Sequence, residues 1–129
     1  MCGISVCIDF NQNLSPESVS IVSKMNKIAA HRGPDGEGLI QKDNVTLGHR
    51  RLAIIDLSSN ANQPMCFKDR YYIVFNGEIY NYIELKQDLI QLGFQFLTNS
   101  DTEVILAGYY HFGEEVFQKL NGMWSIVIY

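Results

Sequence analysis

Long apolar runs, a basic leader and clustered cysteines are all missing from this sequence. No stretch of about 18 apolar residues occurs, and no positively charged start precedes an apolar segment, so we predict neither a membrane span nor a signal peptide. The three cysteines form no CxxC pair and no Cys/His cluster with the spacing of zinc ligands. Free thiols fit a reducing compartment, so the expected location is the cytoplasm, and no metal site is expected.

Excess positive charge is missing as well. Ten Lys and Arg residues face 14 Asp and Glu residues, which gives a net charge of -4 and a pI of about 5.2. Because no basic stripe is present, the chain is not expected to bind nucleic acid or an anionic membrane. What the sequence does contain is 47% hydrophobic residues in a length of 129, which suits one globular domain with a single core.

Strands and helices are mixed along the chain. Alternation of apolar and polar residues predicts strands over residues 3–10, 45–49, 52–56, 71–75, 94–97 and 123–129. Apolar residues at helical spacing predict helices over about 15–31, 79–93, 100–110 and 114–120, with Ser15 and Ser100 as N-caps. The glycine-rich segment Arg32–Gly38 is predicted to be a loop, and Asn76-Gly77 to end a strand. Such a mixture predicts an α+β domain.

The N-terminal sequence Met1-Cys2-Gly3-Ile4 carries the sharpest chemical signal. A small second residue permits removal of the initiator methionine, which leaves Cys2 with a free α-amine. In simple compounds an α-amine titrates near about pH 8 and a thiol near about pH 8.5, so the two groups can exchange a proton without a His or Asp partner. Taken alone, such a start more often marks a small buried cysteine at the head of a strand.

Arg51, Asn76 and Gly77 carry the next signals. Arg51 stands at the entry to a predicted strand, where its guanidinium can bind a carboxylate through two parallel hydrogen bonds. Asn76 and Gly77 end a strand, where a side-chain amide and a backbone N–H can converge on a developing oxyanion. Each also has a simpler interpretation when taken alone: an exposed edge charge for Arg51, a hairpin turn for Asn76-Gly77 and a helix cap for Asp101.

Taken together and in order, seven motifs of this sequence resemble the N-terminal glutaminase domain of glutamine-dependent asparagine synthetase. These motifs are MCGI, HRGPDGEG, LGHRRLAIID, QPM, FNGEIYNY, SDTEVIL and LNGMWSIVIY. The resemblance covers residues 1–129 and implies a class II amidotransferase of the N-terminal-nucleophile hydrolase type. Its fold is an α/β/β/α sandwich of four layers, and further strands are expected after Tyr129, so that the chain is incomplete at its C-terminus.

The resemblance also implies a role for eight residues. Cys2 would attack the side-chain amide of L-glutamine with its own α-amine as proton shuttle, release ammonia and form a glutamyl thioester that water hydrolyses. Asn76 and Gly77 would form the oxyanion hole. The implied glutamine-binding residues are Arg51 at the α-carboxylate, Glu78 and Asp101 near the α-amine, and the backbone at Leu52 and Ile54.

The resemblance specifies the source of the ammonia more closely than the molecule that accepts it. In the resembling family a second domain amidates aspartate with ATP and Mg²⁺, and residues 1–129 lack its Ser-Gly-Gly-x-Asp-Ser loop, so no cofactor is expected in this chain. The expected partners are glutamine, that C-terminal synthetase domain and a second copy in a homodimer. Two alternatives stay open: an amidotransferase acting on a sugar or another carboxylate, and a non-catalytic module of the same fold.

Overall fold

Strands and helices are mixed along the described part of the chain. A computed structural model describes residues 1–10 and 16–129, and the predicted Ser15 cap lies outside the described residues. The strands are β1 (Gly3–Ile8), β2 (Gly36–Lys42), β3 (Val45–Arg51), β4 (Met65–Phe67), β5 (Tyr71–Ile79) and β6 (Gly122–Ile128). The helices are α1 (Pro16–Ile28), α2 (Tyr82–Gln91), α3 (Asp101–Phe112) and α4 (Val116–Lys119). Of these described helices, none has the length and apolar character needed to cross a membrane.

The first sheet has the strand order β1-β3-β2, and both outer strands are antiparallel to β3. Helix α1 covers one face, where fully buried Val22 lies against Gly48. A Cβ on Gly48 would lie 2.4 Å from a methyl carbon of Val22, so this close packing requires glycine. Alternate residues of a strand point to opposite sides, so the other face of β3 presents Leu47, His49 and Arg51.

The second sheet has the strand order β4-β5-β6 and is also antiparallel. Helices α2 and α3 cover its outer face and enclose the larger apolar core. Residues 104–107 of α3 are at most 1% exposed, because this helix packs against β5, α2 and α4. The buried members of this core are Ala61, Met65, Phe67, Ile73, Phe75, Ile79, Leu89, Val104, Ile105, Leu106, Ala107, Val116 and Leu120.

The two sheets face each other across a smaller apolar layer. Val45 and Leu47 of the first sheet pack with Val74 of the second, and partly buried residues from β1, β2, β5 and β6 complete the layer. From one surface to the other, the order is therefore α1, first sheet, second sheet, and then α2 with α3. This confirms the α/β/β/α sandwich that the resemblance implied.

Two predictions next to Arg51 are wrong. Residues 52–56 form no strand, because this segment bonds to side chains instead of to a neighbouring strand; the Asp56 carbonyl, for example, accepts from the Arg51 guanidinium. The loop predicted over Arg32–Gly38 ends early, since β2 begins at Gly36 and pairs with β3 throughout. Pairing with a strand later in the sequence thus decided the structure of a glycine-rich segment.

Two further predictions on the second sheet are wrong. Asn76-Gly77 does not end β5, because β6 pairs with β5 as far as Ile79 and includes Gly77 in the ladder. Residues 94–97 form no strand, because the Glu103 carboxylate accepts N–H groups at the end of this segment. The remaining predicted strands and helices are present, with their ends shifted by a few residues.

Candidate active site

A single cavity of about 350 Å³ is lined by all eight residues predicted to form the site. They come from four parts of the chain: the residue before β1, the end of β3 with the segment after it, the second half of β5, and the first residue of α3. These residues are Cys2, Arg51, Leu52, Ile54, Asn76, Gly77, Glu78 and Asp101. The antiparallel sheets bring these segments together, because β1 pairs with β3 and α3 packs on β5.

Cys2 is held at the cavity by its backbone and lies beside the segment that follows β3. Gly3 pairs with Arg50 in the sheet, and the Cys2 carbonyl accepts from Arg32 Nε at 3.0 Å. The thiol sulfur lies 3.4 Å from the Leu52 nitrogen and 3.7 Å from its carbonyl oxygen. The thiol is therefore placed by backbone contacts and faces the cavity.

Arg51 is a nearly buried cation whose partners are all neutral. Its guanidinium donates to the Ser58 carbonyl at 2.7 Å, to Asn62 Oδ1 at 2.8 Å and to the Asp56 carbonyl. In the described part of the chain, no carboxylate lies within ion-pair distance of it; the neighbouring Arg50 is the one that pairs with a carboxylate. A cation that is only 9% exposed and forms no ion pair with a described carboxylate favours an anionic ligand.

The register of β5 directs the Gly77 N–H away from β6. The N–H groups of Tyr72 and Tyr80 donate across to residues flanking β6, at 2.8 and 2.7 Å. Antiparallel neighbours exchange hydrogen bonds at alternate residues, so even-numbered residues of β5 bond to β6 and odd-numbered ones point to the opposite edge. Gly77 therefore presents its N–H at that edge, and Asn76, on the same strand face as Val74, turns its side chain towards the first sheet.

Gly77 cannot be exchanged for a larger residue. An added Cβ would lie 2.3 Å from the Met123 carbonyl oxygen and 2.7 Å from the Trp124 Cα. Both atoms belong to the backbone of β6, which pairs with β5 and cannot move aside cheaply. Close approach of the two strands, rather than a turn, is thus the reason for glycine at this position.

Asp101 and Glu78 place two carboxylates at the cavity. Asp101 is 5% exposed and accepts from the Ile79 N–H at 3.1 Å. Burial, reinforced by the charge of Glu78, raises the pKa of Asp101 to about 6. The simple interpretation of Asp101 as the helix cap is wrong, because the Ser100 hydroxyl accepts from the N–H three residues on and caps α3.

Three polar residues near the cavity were not predicted. Gln63 is 7% exposed and lines the cavity, and its amide oxygen accepts from the Phe75 N–H at 2.6 Å. The Asp56 carboxylate accepts from Ser58 and from the Asn99 N–H, the latter at 2.8 Å, and these bonds lower the pKa of Asp56. His49 is fully buried and donates to Phe75 from the first sheet. The available signals were the quoted motifs, because Gln63 belongs to QPM, and His49 and Asp56 belong to LGHRRLAIID.

The arrangement fits nucleophilic attack on a small zwitterion that carries an amide. One cavity holds a thiol, a guanidinium with neutral partners, two carboxylates and a strand-edge N–H beside an asparagine amide. Within residues 1–10 and 16–129, no three His, Cys, Asp or Glu side chains are grouped as a metal site.

Comparisons with known proteins match this chemistry. A family model described as a glutamine amidotransferase domain matches residues 1–129. Asparagine synthetase (glutamine-hydrolyzing) 1 of Bacillus subtilis strain 168 is 48% identical over 110 residues, which are 84% of this chain and 17% of that protein. Putative asparagine synthetase (glutamine-hydrolyzing) 2 of Methanocaldococcus jannaschii is 40% identical over 148 aligned residues, which are 100% of this chain and 28% of that protein.

A solved structure is also similar. The glutamine phosphoribosylpyrophosphate amidotransferase from B. subtilis, complexed with ADP and GMP, matches with a TM-score of 0.59 and 27% sequence identity. The match covers 68% of this chain and 21% of that one. The chain thus spans less than a third of the length of each of these similar proteins.

Proposed function

Because the chain belongs to the glutamine amidotransferase domain family, we propose that it hydrolyses L-glutamine to glutamate and ammonia, with the Cys2 thiol as nucleophile. The observation that carries this proposal is the convergence of complementary groups on one cavity. Glutamine has an amide for the thiol, an α-carboxylate for the guanidinium, an α-ammonium for the carboxylates, and a carbonyl oxygen for the strand-edge N–H.

The proposed reaction uses Cys2 twice. Its α-amine takes the thiol proton, and the thiolate attacks the amide carbon of glutamine. The carbonyl oxygen becomes an oxyanion that accepts hydrogen bonds from the Asn76 side-chain NH₂ and the Gly77 N–H. The protonated amine gives its proton to the nitrogen, which leaves as ammonia, and a γ-glutamyl thioester remains. Water, activated by the same amine, cleaves the thioester to glutamate and the free thiol.

Charged side chains in the cavity orient the substrate. The Arg51 guanidinium binds the α-carboxylate, while Asp101 and Glu78 bind the α-ammonium. The backbone at Leu52 and Ile54 flanks the glutamine side chain, and Leu52 also contacts the thiol. These contacts present the amide carbon to Cys2, which is the positioning that such a reaction needs.

The mechanism requires removal of Met1. A peptide bond to Met1 converts the Cys2 amine into an amide, which is not a base. Met1 is 68% exposed and lines the cavity, so a peptidase can reach it and its departure opens the site.

The whole protein, as its gene encodes it, provides the test of this proposal. We expect it to release glutamate and ammonia in equal amounts from glutamine, and to lose this activity after treatment with 6-diazo-5-oxo-L-norleucine, a glutamine analogue that alkylates such nucleophiles. A preparation with a free N-terminal Cys2 that released neither product would contradict the proposal and favour a non-catalytic module.

Replacing Arg51 by lysine is expected to raise the KM for glutamine by about 10- to 100-fold, with a smaller effect on kcat. Lysine keeps the charge but cannot offer two parallel N–H groups to a carboxylate. Steady-state glutamate release over a range of glutamine concentrations measures the change. Arg50→Lys is the matched control, because Arg50 bonds to Glu37 and should leave KM unchanged. An unchanged KM in folded Arg51→Lys would reject the carboxylate assignment.

Replacing Asp101 by asparagine is expected to weaken glutamine binding and to stabilise the fold. The folded-state pKa of about 6 exceeds the ordinary value of 3.8, so the folded protein holds this proton more tightly and loses stability as pH rises from 3.8 to 6. Asparagine removes that cost and still accepts from the Ile79 N–H. At pH 8 we expect about 1 to 3 kcal/mol of added stability.

Thermal unfolding and KM, each measured at pH 5 and pH 8, check the Asp101 prediction. In the wild type, KM should rise as pH falls through about 6, because the ammonium loses its charged partner; in Asp101→Asn this change should disappear. Glu103→Gln is a matched control on the same helix, since its carboxylate accepts from Thr98 and Leu97 and its loss should destabilise. An Asp101→Asn protein less stable than wild type at pH 8 would contradict the argument.

We further propose that the ammonia serves to amidate aspartate, with ATP and Mg²⁺ bound by a synthetase part outside residues 1–129. The similar proteins named asparagine synthetase support this, and they are several times longer than the chain. The whole gene product, given glutamine, aspartate, ATP and Mg²⁺, should form asparagine. If it amidates a sugar or another carboxylate instead, the proposal of aspartate as acceptor is wrong, but the proposal of glutamine hydrolysis stands.

A further inference from the structure

We propose that His49 and Gln63 are positioning residues for glutamine hydrolysis, because together they hold the backbone N–H and C=O of Phe75 and thereby fix Asn76 and Gly77. This inference rests on the proposed function, in which Asn76 and Gly77 stabilise the oxyanion. Neither His49 nor Gln63 is needed for bond making in that mechanism.

The part of β5 that carries Asn76 and Gly77 is paired on one side only. Strand β6 pairs with β5 from Ile73 to Ile79, but β4 pairs no further than Ile73. By the alternation of hydrogen bonds in the strand, Phe75 points to the same edge as Ile73, but it lies beyond the last residue paired with β4. Its N–H and C=O are buried there and need other partners.

Two buried side chains supply those partners. Gln63 Oε1 accepts from the Phe75 N–H at 2.6 Å, and His49 Nε2 donates to the Phe75 carbonyl at 3.0 Å. Gln63 is itself held, since its Nε2 donates to the Thr102 hydroxyl at 3.2 Å. The Phe75 backbone is therefore held at its carbonyl by His49 of the first sheet and at its N–H by Gln63, which is itself bonded to helix α3.

The buried ring of His49 satisfies one polar group and leaves another unpaired. A carbonyl only accepts, so Nε2 carries the proton, and burial keeps the ring neutral by lowering the pKa of His49 to about 4. Its Nδ1 is then a buried acceptor with no partner among the described residues. An apolar side chain would avoid that unpaired nitrogen but would leave the buried Phe75 carbonyl without a donor. The histidine is therefore explained by the one contact it makes, which aligns the strand that bears the oxyanion hole.

The test compares variants that lose the two hydrogen bonds with variants that keep them. His49→Leu and Gln63→Met remove the contacts to Phe75, whereas His49→Gln keeps a donor and Gln63→Glu keeps an acceptor. Oxyanion contacts act on the transition state, so the first pair should lower kcat by about tenfold or more while KM changes by less than about threefold. The second pair should recover most of kcat.

Thr46→Val is the control for lost stability. Thr46 is on the other face of β3, where its hydroxyl forms a buried 2.8 Å hydrogen bond with Ser18. This variant should lower the melting temperature and leave kcat unchanged, which separates a general loss of stability from misplacement of Asn76.

Folded His49→Leu with kcat within twofold of wild type would overturn the inference for His49, and the same result for Gln63→Met would overturn it for Gln63. If His49→Leu does not fold, the Gln63 pair decides whether the Phe75 peptide must be held. A wild-type protein without glutaminase activity would instead remove the proposed function itself, so the two failures are distinguishable.

Discussion

Replacing Cys2 by alanine is expected to reduce glutamine hydrolysis by at least about a thousandfold while the protein stays folded. The sulfur of Cys2 forms the bond to substrate in the proposed mechanism, so no other interaction can compensate for its loss. Its structural contribution is small, because the sulfur makes only long contacts to the Leu52 backbone, at 3.4 and 3.7 Å. Glutamate release and the melting temperature measure the two effects separately.

The other two thiols are matched controls for Cys2. Cys7 lies within β1, and Cys66 is exposed on β4; neither lines the cavity. Cys7→Ala and Cys66→Ala should keep full activity. Intact mass after treatment with 6-diazo-5-oxo-L-norleucine should show one adduct in these variants and none in Cys2→Ala. Activity that survives in Cys2→Ala, or an adduct that forms on Cys66, would contradict the assignment.

The state of Met1 decides whether this experiment can show activity at all. Protein that retains Met1 has no free Cys2 amine, so it is expected to be inactive even with an intact thiol. The same mass measurement reports whether Met1 is present, and removal of Met1 by an aminopeptidase should restore activity. Inactivity after removal would count against the amine as base.

The eight predicted site residues lie around one cavity although they span positions 2 to 101. Composition and periodicity did not group them; the ordered motifs did, through their resemblance to a glutaminase domain. The family match over residues 1–129 confirms that resemblance. The sandwich, too, followed from the resemblance, because the period of a strand reveals which face is buried but not which sheet covers it.

The turn predicted at Asn76-Gly77 and the loop predicted over residues 32–38 failed for the same reason. Asn76-Gly77 is a strong local signal for a turn, and yet β6, about 50 residues later, pairs straight through it. Residues 36–38 look like loop because two glycines lack side chains to bury, but β3 supplies hydrogen bonds to them. In both places a pairing between distant segments outweighed the local preference.

The missed positioning residues have the same explanation. His49 bonds the carbonyl of Phe75, 26 residues away, and Gln63 bonds the N–H of the same residue, 12 residues away. No spacing rule connects a histidine in one sheet with a backbone carbonyl in another. Such contacts become visible only when the layers are assembled, because the partner is a backbone group that is the same in every residue.

Replacing Asn76 by alanine is expected to cause the second large loss of activity. This variant tests the oxyanion hole more cleanly than any change at Gly77. A Cβ on Gly77 would lie 2.3 Å from a backbone oxygen of β6. A Gly77 variant could therefore lose activity because it misfolds. Asn76 is half-buried, and its side chain can be shortened without such a clash. Loss of one oxyanion donor is expected to lower kcat by about 100- to 1000-fold with little change in KM.

The split between kcat and KM identifies the role of Asn76. An oxyanion exists only during the reaction, so a donor aimed at it lowers kcat and leaves glutamine binding nearly intact, whereas a residue that binds the ground state changes KM. Asn44→Ala is the matched control, because Asn44 bonds to the Asp9 carbonyl at the far end of β3 from Arg51 and should leave both constants unchanged. A rise in KM with constant kcat in Asn76→Ala would make Asn76 a substrate-binding residue and leave the Gly77 N–H as the remaining proposed oxyanion donor.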